Sequence, residues 1–388
     1  MRIVICGDTH IGAVFGLGKQ TKAGGNTRVD DYERTLNHIV DYAIKNKVDA
    51  FVQTGDAFDS RTPAPEHMAV FNKAIKKLSL ANITSVIIMG NHDYRRSGET
   101  FTSAISSLAA KDYPNVRIVL TPEVLSLHGR NKVQTDIVLL PYRDRRMYEG
   151  TNTAEDSALY EKEILDLISG CDKQTPTIAI GHNFYYTGSY NDYGGTEVLA
   201  KIDTFKDCDL VAMGHYHQFK ILRKNNPISI YTGSMEKLNF GDEKIDKFFI
   251  DYDSDTKKTT ILKCPSRQLI DISINLADSN HTSLFSDLEA EIGKLDLEDK
   301  IARIKISIRD SLLGFIKKAK VEKLLYSAGA FYVSKVIVEP IFTRMVRDDE
   351  ILKHKDDFSM FKAFLEGQRG MDEEDVKSIL TEAKKIMT

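Results

Sequence analysis

Short apolar runs rich in β-branched residues recur over the first two-thirds of the chain and alternate with amphipathic stretches. The runs are Arg2–Gly7, Asp49–Gly55, Thr84–Gly90, Asp136–Pro141, Thr177–Gly181, Asp209–Gly214 and Ile228–Thr232. Asp31–Lys47 and Glu66–Leu80 carry apolar residues at helical spacing, and Pro63 and Pro65 mark the start of the second. Runs that stay apolar throughout predict strands buried on both faces, as in a sheet covered by helices. An α/β core follows. The last strands of this part, around Ile228–Tyr252 and Thr259–Cys264, have no helices between them and are expected to be antiparallel.

A second unit is expected from Ser266. Leu269–Ile274 reads as a strand, Ser283–Lys294 as a helix, and Ile301–Ile308 alternates as a half-buried strand does. Val321–Ser327 reads as a helix and Phe331–Val338 as a closing strand, the order of a small two-layer α+β domain. After Pro340 the chain turns charged and then gives two short amphipathic segments. Phe358, Phe361, Phe364 and Leu365 mark the first; Val376, Ile379, Leu380, Ala383 and Met387 mark the second, with Gly367 and Gly370 between. Two such helices bury little alone, so they are expected to pack on their own chain or to dock on a partner. The expected domains are 1–265, 266–340 and 341–388.

The length of 388 residues allows two or three domains, and 42% hydrophobic with 28% charged residues fits an ordinary soluble globular protein. No apolar stretch approaches the roughly 18 residues of a membrane span, and MRIVICGDTH has no charged leader before an apolar core. Neither a membrane association nor a secretory signal is expected. Cys6, Cys171, Cys208 and Cys264 lack CxxC spacing, which argues against thiolate metal sites and a disulfide framework and for a reducing cytoplasm. A net charge of −3 weighs against a stand-alone nucleic-acid binder, but it leaves catalysis open.

Five of the apolar runs end in glycine followed by a ligand-type residue: Gly7-Asp8, Gly55-Asp56, Gly90-Asn91, Gly181-His182 and Gly214-His215. In α/β sheets, functional groups gather beyond the carboxyl ends of the strands, and glycine there permits sharp turns and close approach. Asp8-Thr9-His10 and His215-Tyr216-His217 have period two, so in extended chain each outer pair points one way and can grip a metal together. Asn91 and His92 are adjacent and should diverge, one a ligand and the other with another task. A single Gly-Asp after a strand is more often a turn, so the inference rests on the five together. The candidate ligands Asp8, His10, Asp56, Asn91, His182, His215 and His217 offer oxygen and nitrogen only, which favours manganese, iron, zinc or magnesium. One ion would not use all seven; two ions sharing a carboxylate would, and such a pair hydrolyses phosphoesters. His38, His67, His128, His281 and His354 lack this context and read as ordinary helix or surface residues.

These residues resemble the calcineurin-like metallophosphoesterase superfamily, with its D-x-H, GD-x-x-D, GNH-D/E, H and GH-x-H series. Here the series stands as Asp8-Thr9-His10, Gly55-Asp56-Ala57-Phe58-Asp59, Gly90-Asn91-His92-Asp93, His182 and Gly214-His215-Tyr216-His217. Within it the chain is most similar to the SbcD-type (Mre-eleven-like) nuclease subunits of double-strand-break repair complexes. GDAFDSRTP resembles their GD-[LI]-F-D segment, the first motif begins at residue 8, and the small mixed domain matches their capping domain in place and size. The resemblance is strong to about residue 240 and architectural beyond. It implies a calcineurin-like β-sandwich flanked by helices, an α+β capping domain and a helical C-terminal tail.

The resemblance further implies that Asp8, His10, Asp56 and His217 hold one divalent metal. Asp56, Asn91, His182 and His215 would hold the second, with Asp56 bridging. Mn²⁺ is the expected ion, with Mg²⁺ as the alternative. His92 would act on the scissile phosphate as a proton donor or charge stabiliser, Asp93 would orient it, and Asp59 would support the site or serve as a loop residue. The implied activities are 3′-to-5′ exonuclease on duplex DNA and endonuclease on single strands. The implied partners are DNA, an SbcC-type ABC ATPase with a coiled coil bound by the C-terminal helices, and a second copy in a homodimer. The implied setting is the cytoplasm of a bacterial or phage-infected cell.

Candidate DNA contacts are Lys19, Lys22 and Arg28 in the Gly-rich, basic Phe15–Arg28 insertion, and Arg143, Arg145 and Arg146 after a strand end. A solvated loop and plain surface charge are the alternatives. Tyr185, Tyr186, Tyr190 and Tyr193 either stack on an unpaired base or pack down their loop. Two other function classes compete: a small-molecule or protein phosphoesterase of the same fold, and a metal-free scaffold. Against a protein phosphatase, the second motif lacks a D-R-G ending and the third ends in Asp93 rather than Glu; against the scaffold, every ligand is present.

Overall fold

A computed structural model describes residues 1–22, 24–97, 100–111, 113–150, 152–187, 197–225, 227–341, 356–366 and 373–387. The chain divides into two compact units. One holds Met1–Ile272, Leu295–Arg303 and Glu322–Lys335; the other holds Ser273–Lys294, Ile304–Val321 and Val336–Thr388.

Two six-stranded sheets build the first unit. One is formed by β1 (Arg2–Cys6), β2 (Ala50–Gln53), β3 (Thr84–Ile88) and β4 (Val116–Val119). The other takes β5 (Glu123–His128), β6 (Gln134–Leu140), β7 (Thr177–Gly181), β8 (Leu210–Met213), β9 (Lys220–Arg223) and β10 (Ile228–Tyr231). Strands β11 (Phe248–Asp253) and β12 (Lys258–Lys263) return to the first. The orders are β12-β11-β1-β2-β3-β4 and β9-β10-β8-β7-β6-β5. The central strands are parallel, as is the edge strand β4, while β11 and β12 in the first sheet and β5 and β9 in the second run antiparallel to their neighbours.

Side chains alternate across each strand, so every central strand feeds two cores. Ile3, Ile5, Val52 and Ile88 meet Ile137, Leu139, Ile178, Ile180 and Leu210 between the sheets. The opposite faces bury Val4, Cys6, Phe51 and Ile87 under helices α1 (Thr27–Lys45) and α2 (Pro65–Leu80). Val138, Leu140, Ala179 and Val211 lie under α3 (Thr153–Ser169). Burial on both faces explains why the runs are apolar without alternation. The result is the expected β-sandwich flanked by helices.

Two details differ from expectation. Ile228–Tyr231 pairs parallel with β8, because β9 reverses the chain first and pairs antiparallel with β10. Helix α1 begins at Thr27, four residues before the predicted Asp31, because the Asn26 side chain accepts from the Arg28 amide and caps it.

After Ser266 come β13 (Leu269–Asn275), α4 (Leu284–Ile292), β14 (Ile301–Arg309), α5 (Lys318–Ser327) and β15 (Tyr332–Ile341). The three strands form one sheet in that order. In the second unit, α6 (Asp357–Glu366) and α7 (Glu373–Met387) pack against each other, burying Leu365 and leaving Phe364 exposed. Among the described residues no helix is long and apolar enough to cross a membrane.

Candidate metal centre

The ligand-bearing turns leave the carboxyl ends of neighbouring parallel strands. Asp8 and His10 follow β1, Asp56 follows β2 and Asn91 follows β3, while His182 follows β7 and His215 and His217 follow β8. Both sheets thus deliver ligands to one edge of the sandwich. Close approach requires glycine here: a Cβ at Gly214 would collide with Asp8 Oδ1 and the Thr54 carbonyl. At Gly55 the backbone itself demands it, with φ of +99°.

One ligand atom each from Asp8, His10, Asp56 and His217 lies within 4.8 Å of all the others. His10 Nε2 sits 3.0 Å from His217 Nε2 and 3.5 Å from Asp56 Oδ2. Beside this group, Asn91 Oδ1 lies 3.0 Å from His182 Nε2 and 2.9 Å from His215 Nδ1. His182 Nε2 is 3.3 Å from Asp56 Oδ2, so Asp56 belongs to both groups. Asp8 Oδ1 and Asp56 Oδ2 are buried without any hydrogen-bond partner, as oxygens awaiting a cation would be. These sets fit two divalent ions with a shared carboxylate, and no thiolate intrudes.

An outer layer aims the imidazoles. His182 Nδ1 donates to the Thr54 carbonyl at 2.6 Å, which turns Nε2 inward. Glu197 Oε2 lies 3.2 Å from His215 Nε2. No hydrogen bond is formed there, but a carboxylate charge stands behind the imidazole, whose Nδ1 faces Asn91. Asp59 Oδ1 stands 3.4 Å from His10 Nδ1. Lys247, fully buried, donates to the His217 carbonyl at 3.0 Å and pairs with Asp242.

His92 Nδ1 donates to the Asp59 carbonyl at 2.7 Å, and the side chain remains 38% exposed, so Nε2 is the atom left for a substrate. His10, Asp59 and His92 also present ligand atoms within 4.8 Å of one another. Because the Asp59 carbonyl already takes His92 Nδ1, this cluster reads as support for the two imidazoles. Asp93 corrects the expectation that it orients His92. Its carboxylate is buried and accepts from the amides of Gly90, Ala57 and Phe58. It therefore fastens the Asp56 turn to the Asn91 turn, and no hydrogen bond joins it to the His92 ring.

Three ligands occupy the left-handed backbone region: His10 (φ +43°), Asp56 (φ +54°) and His215 (φ +76°). Such conformations cost about 1–3 kcal/mol each outside glycine and persist where the surroundings enforce them. The electrostatics are equally forced. Burial pushes Asp8 up to about 6 against the pull of His182, and pushes Asp93 up to about 7 with help from Asp56. Burial opposes charge on His182, but Asp56 and Asp8 raise it to about 10. Desolvation and then His10 depress His217 to about 3. Asp56 ends well below the usual carboxylate range despite its burial, chiefly through His182. A proton on His182 thus stands where a cation would be held.

The calcineurin-like phosphoesterase family model matches residues 1–219, a span that contains all seven ligands. The chain belongs to this family. Among its relatives, the DNA double-strand break repair protein Mre11 of Methanosarcina mazei is 22% identical over 341 residues, 86% of this chain and 49% of that one. Exonuclease subunit 1 of Enterobacteria phage T4 is 23% identical over 326 residues, 78% of this chain and 85% of that one. The SbcD component of the nuclease SbcCD of Escherichia coli K12 is 25% identical over 261 residues, 62% of each. The chain spans about half the length of the Methanosarcina protein.

Divalent ions in a phosphoesterase site activate water and offset charge on the phosphate. The chain's own part is to hold seven ligands on two sheets, orient the His182 and His92 rings through backbone carbonyls, and leave His92 Nε2 free at the edge.

The predicted DNA contacts fare differently. Arg28 is corrected: it is wholly buried, 2.8 Å from Asp31 and 3.0 Å from Glu236, and cannot reach a phosphate. Two described residues of the Phe15–Arg28 insertion pack against the fold. Leu17 packs with Leu269 and Ile301, and the Lys19 ammonium lies 4.4 Å above the Tyr326 ring; Lys22 is exposed. Arg143 is mostly buried near Glu163 and Arg145 pairs with Asp156, while Arg146 pairs with Asp144 but stays 60% exposed. Tyr185 is buried with its hydroxyl on Tyr160, so it packs down rather than stacking, and Tyr186 is half-buried. Tyr190 and Tyr193 lie outside the described residues. Sequence reasoning missed Glu197 and Lys247, which no spacing or motif marks.

Proposed function

We propose that this chain is a two-metal DNA nuclease, cutting duplex ends 3′ to 5′ and single strands internally. The observation that carries it is the pair of oxygen–nitrogen ligand sets sharing Asp56, with His92 exposed beside them. The names of the relatives support DNA as substrate. In this reading Mn²⁺ fills both sites, residues 266–340 cap the DNA, and the C-terminal helices dock on an SbcC-type ABC ATPase in the cytoplasm, with two copies paired through the nuclease core.

The test is a nuclease assay on DNA with defined ends, with Mn²⁺, Mg²⁺ or chelator, with and without the ATPase. Mn²⁺-dependent shortening from 3′ ends is expected. His92→Ala should keep the wild-type metal content and lose roughly 100-fold or more in rate, the range of general acid catalysis. Loss of metal from His92→Ala would make it a ligand. Cleavage of cyclic nucleotides or phosphopeptides but not DNA would move the chain to another phosphoesterase class.

A further inference from the structure

A cavity of about 410 Å³, lined by Arg61, Thr62, Tyr94, Arg95, Tyr142, Asp144 and Arg146, lies in the first unit. Every wall of it continues from a part of the metal centre. Arg61 stands two residues after Asp59, whose carbonyl holds His92. Tyr94 and Arg95 follow His92 and Asp93 directly. The Tyr142 ring lies 6.5 Å from that of His215, and Asp144 bridges in the backbone to Glu197, the residue beside His215.

The charge in the cavity is one-sided. Arg61 and Arg95 are exposed and form no ion pair with a described residue, and Arg146 leaves 60% of its side chain open while pairing with Asp144. Tyr94 and Tyr142, with rings 5.9 Å apart, are buried, so they shape the cavity rather than offering ring faces to a base. Two exposed guanidiniums without an ion-pair partner among the described residues supply the planar, bidentate donors with which arginine holds phosphate.

We propose that this cavity is a second anion subsite, which takes the phosphate of the nucleotide next to the scissile bond and so sets where along the strand His92 meets the backbone. The proposal rests on the nuclease reading above. Its chemistry suits either an internal phosphodiester or a terminal phosphate of the same strand.

The test uses the full-length chain, R61A/R95A and a nuclease-resistant oligonucleotide, with binding measured across a salt series. Binding of the variant is expected to fall about tenfold or more, as loss of charge-assisted hydrogen bonds implies. The slope of log affinity against log salt should become shallower by roughly 0.7 per lost contact on a single strand. A methylphosphonate placed beside the scissile position should weaken the wild type and leave the variant unaffected. If only removal of a terminal 5′- or 3′-phosphate has that selective effect, the ligand is the strand end. Equal affinity and equal salt slope in wild type and a folded variant, checked by thermal unfolding, would overturn the subsite. Failure of the wild-type chain to cleave any DNA would instead overturn the nuclease reading, so the two failures are distinguishable.

Discussion

The Asp93 carboxylate takes three backbone amides, from Gly90, Ala57 and Phe58, in a spot with almost no solvent exposure. Replacing it by alanine strands three buried donors, each worth about 1–3 kcal/mol when left unpaired. Asp93→Ala should therefore lose at least about 3 kcal/mol in denaturant unfolding, and Asp93→Asn, which keeps an acceptor oxygen, clearly less. A change below about 1 kcal/mol in the alanine variant would show that the amides find other partners. The residue was visible in the sequence as part of Gly90-Asn91-His92-Asp93, but its task was not. A motif gives neighbours along the chain, whereas Asp93 reaches across to a turn some 35 residues earlier. Arg28 fails for the same reason. Its basic, Gly-rich setting suggested solvent, while its actual partners, Asp31 and Glu236, come together only in the fold.

Turns after parallel strands carry most of the site, and their order was legible because strand ends impose it. Each run could be read as a buried strand, each glycine as its end, and each following residue as a group at the sheet edge. What the runs could not show was the element that supports them from outside. Glu197 lies after the His182 turn and next to the start of the Leu199–Lys201 strand, fixed by a backbone bridge to Asp144. From there it faces His215 Nε2. Glu197→Gln removes the charge and keeps the size. We expect the second metal to bind roughly 10–100-fold more weakly, the usual effect of losing a carboxylate behind a histidine ligand. The first metal should be unaffected. Calorimetric Mn²⁺ titration with two resolved steps would show this; two unchanged steps would exclude Glu197 from the site.

On the scale of the whole first unit, the ions would join two sheets whose shared core is apolar, since Asp8, His10, Asp56 and Asn91 come from one and His182, His215 and His217 from the other. Binding to the folded form alone then raises stability by mass action. The pH dependence has a definite sign. Asp8, Asp93 and His182 have folded values raised to about 6, about 7 and about 10. The stability each contributes is complete below its unfolded value and is lost as pH rises through the folded one. Asp56 is shifted the other way and contributes a constant amount above the ordinary carboxylate range. The metal-free protein should therefore melt at progressively lower temperature from pH 6 to pH 9, and Mn²⁺ should raise the melting temperature most at the alkaline end, releasing protons as it binds. Scanning calorimetry with chelator or Mn²⁺ tests both; a metal-free protein that grows more stable with pH would contradict the assigned protonation.

The left-handed backbone at His10, Asp56 and His215 has a bearing on attempts to engineer this chain. At His10 and His215 glycine would relieve the backbone, and so would raise the stability of the empty protein while erasing the ligand; at Asp56 the same relief is set against loss of the ion pair with His182. A library selected for heat resistance in chelating buffer would drift toward such replacements and return robust, inert folds. Selection with Mn²⁺ present reverses the incentive, because each ligand then contributes more through the ion than its strained backbone costs.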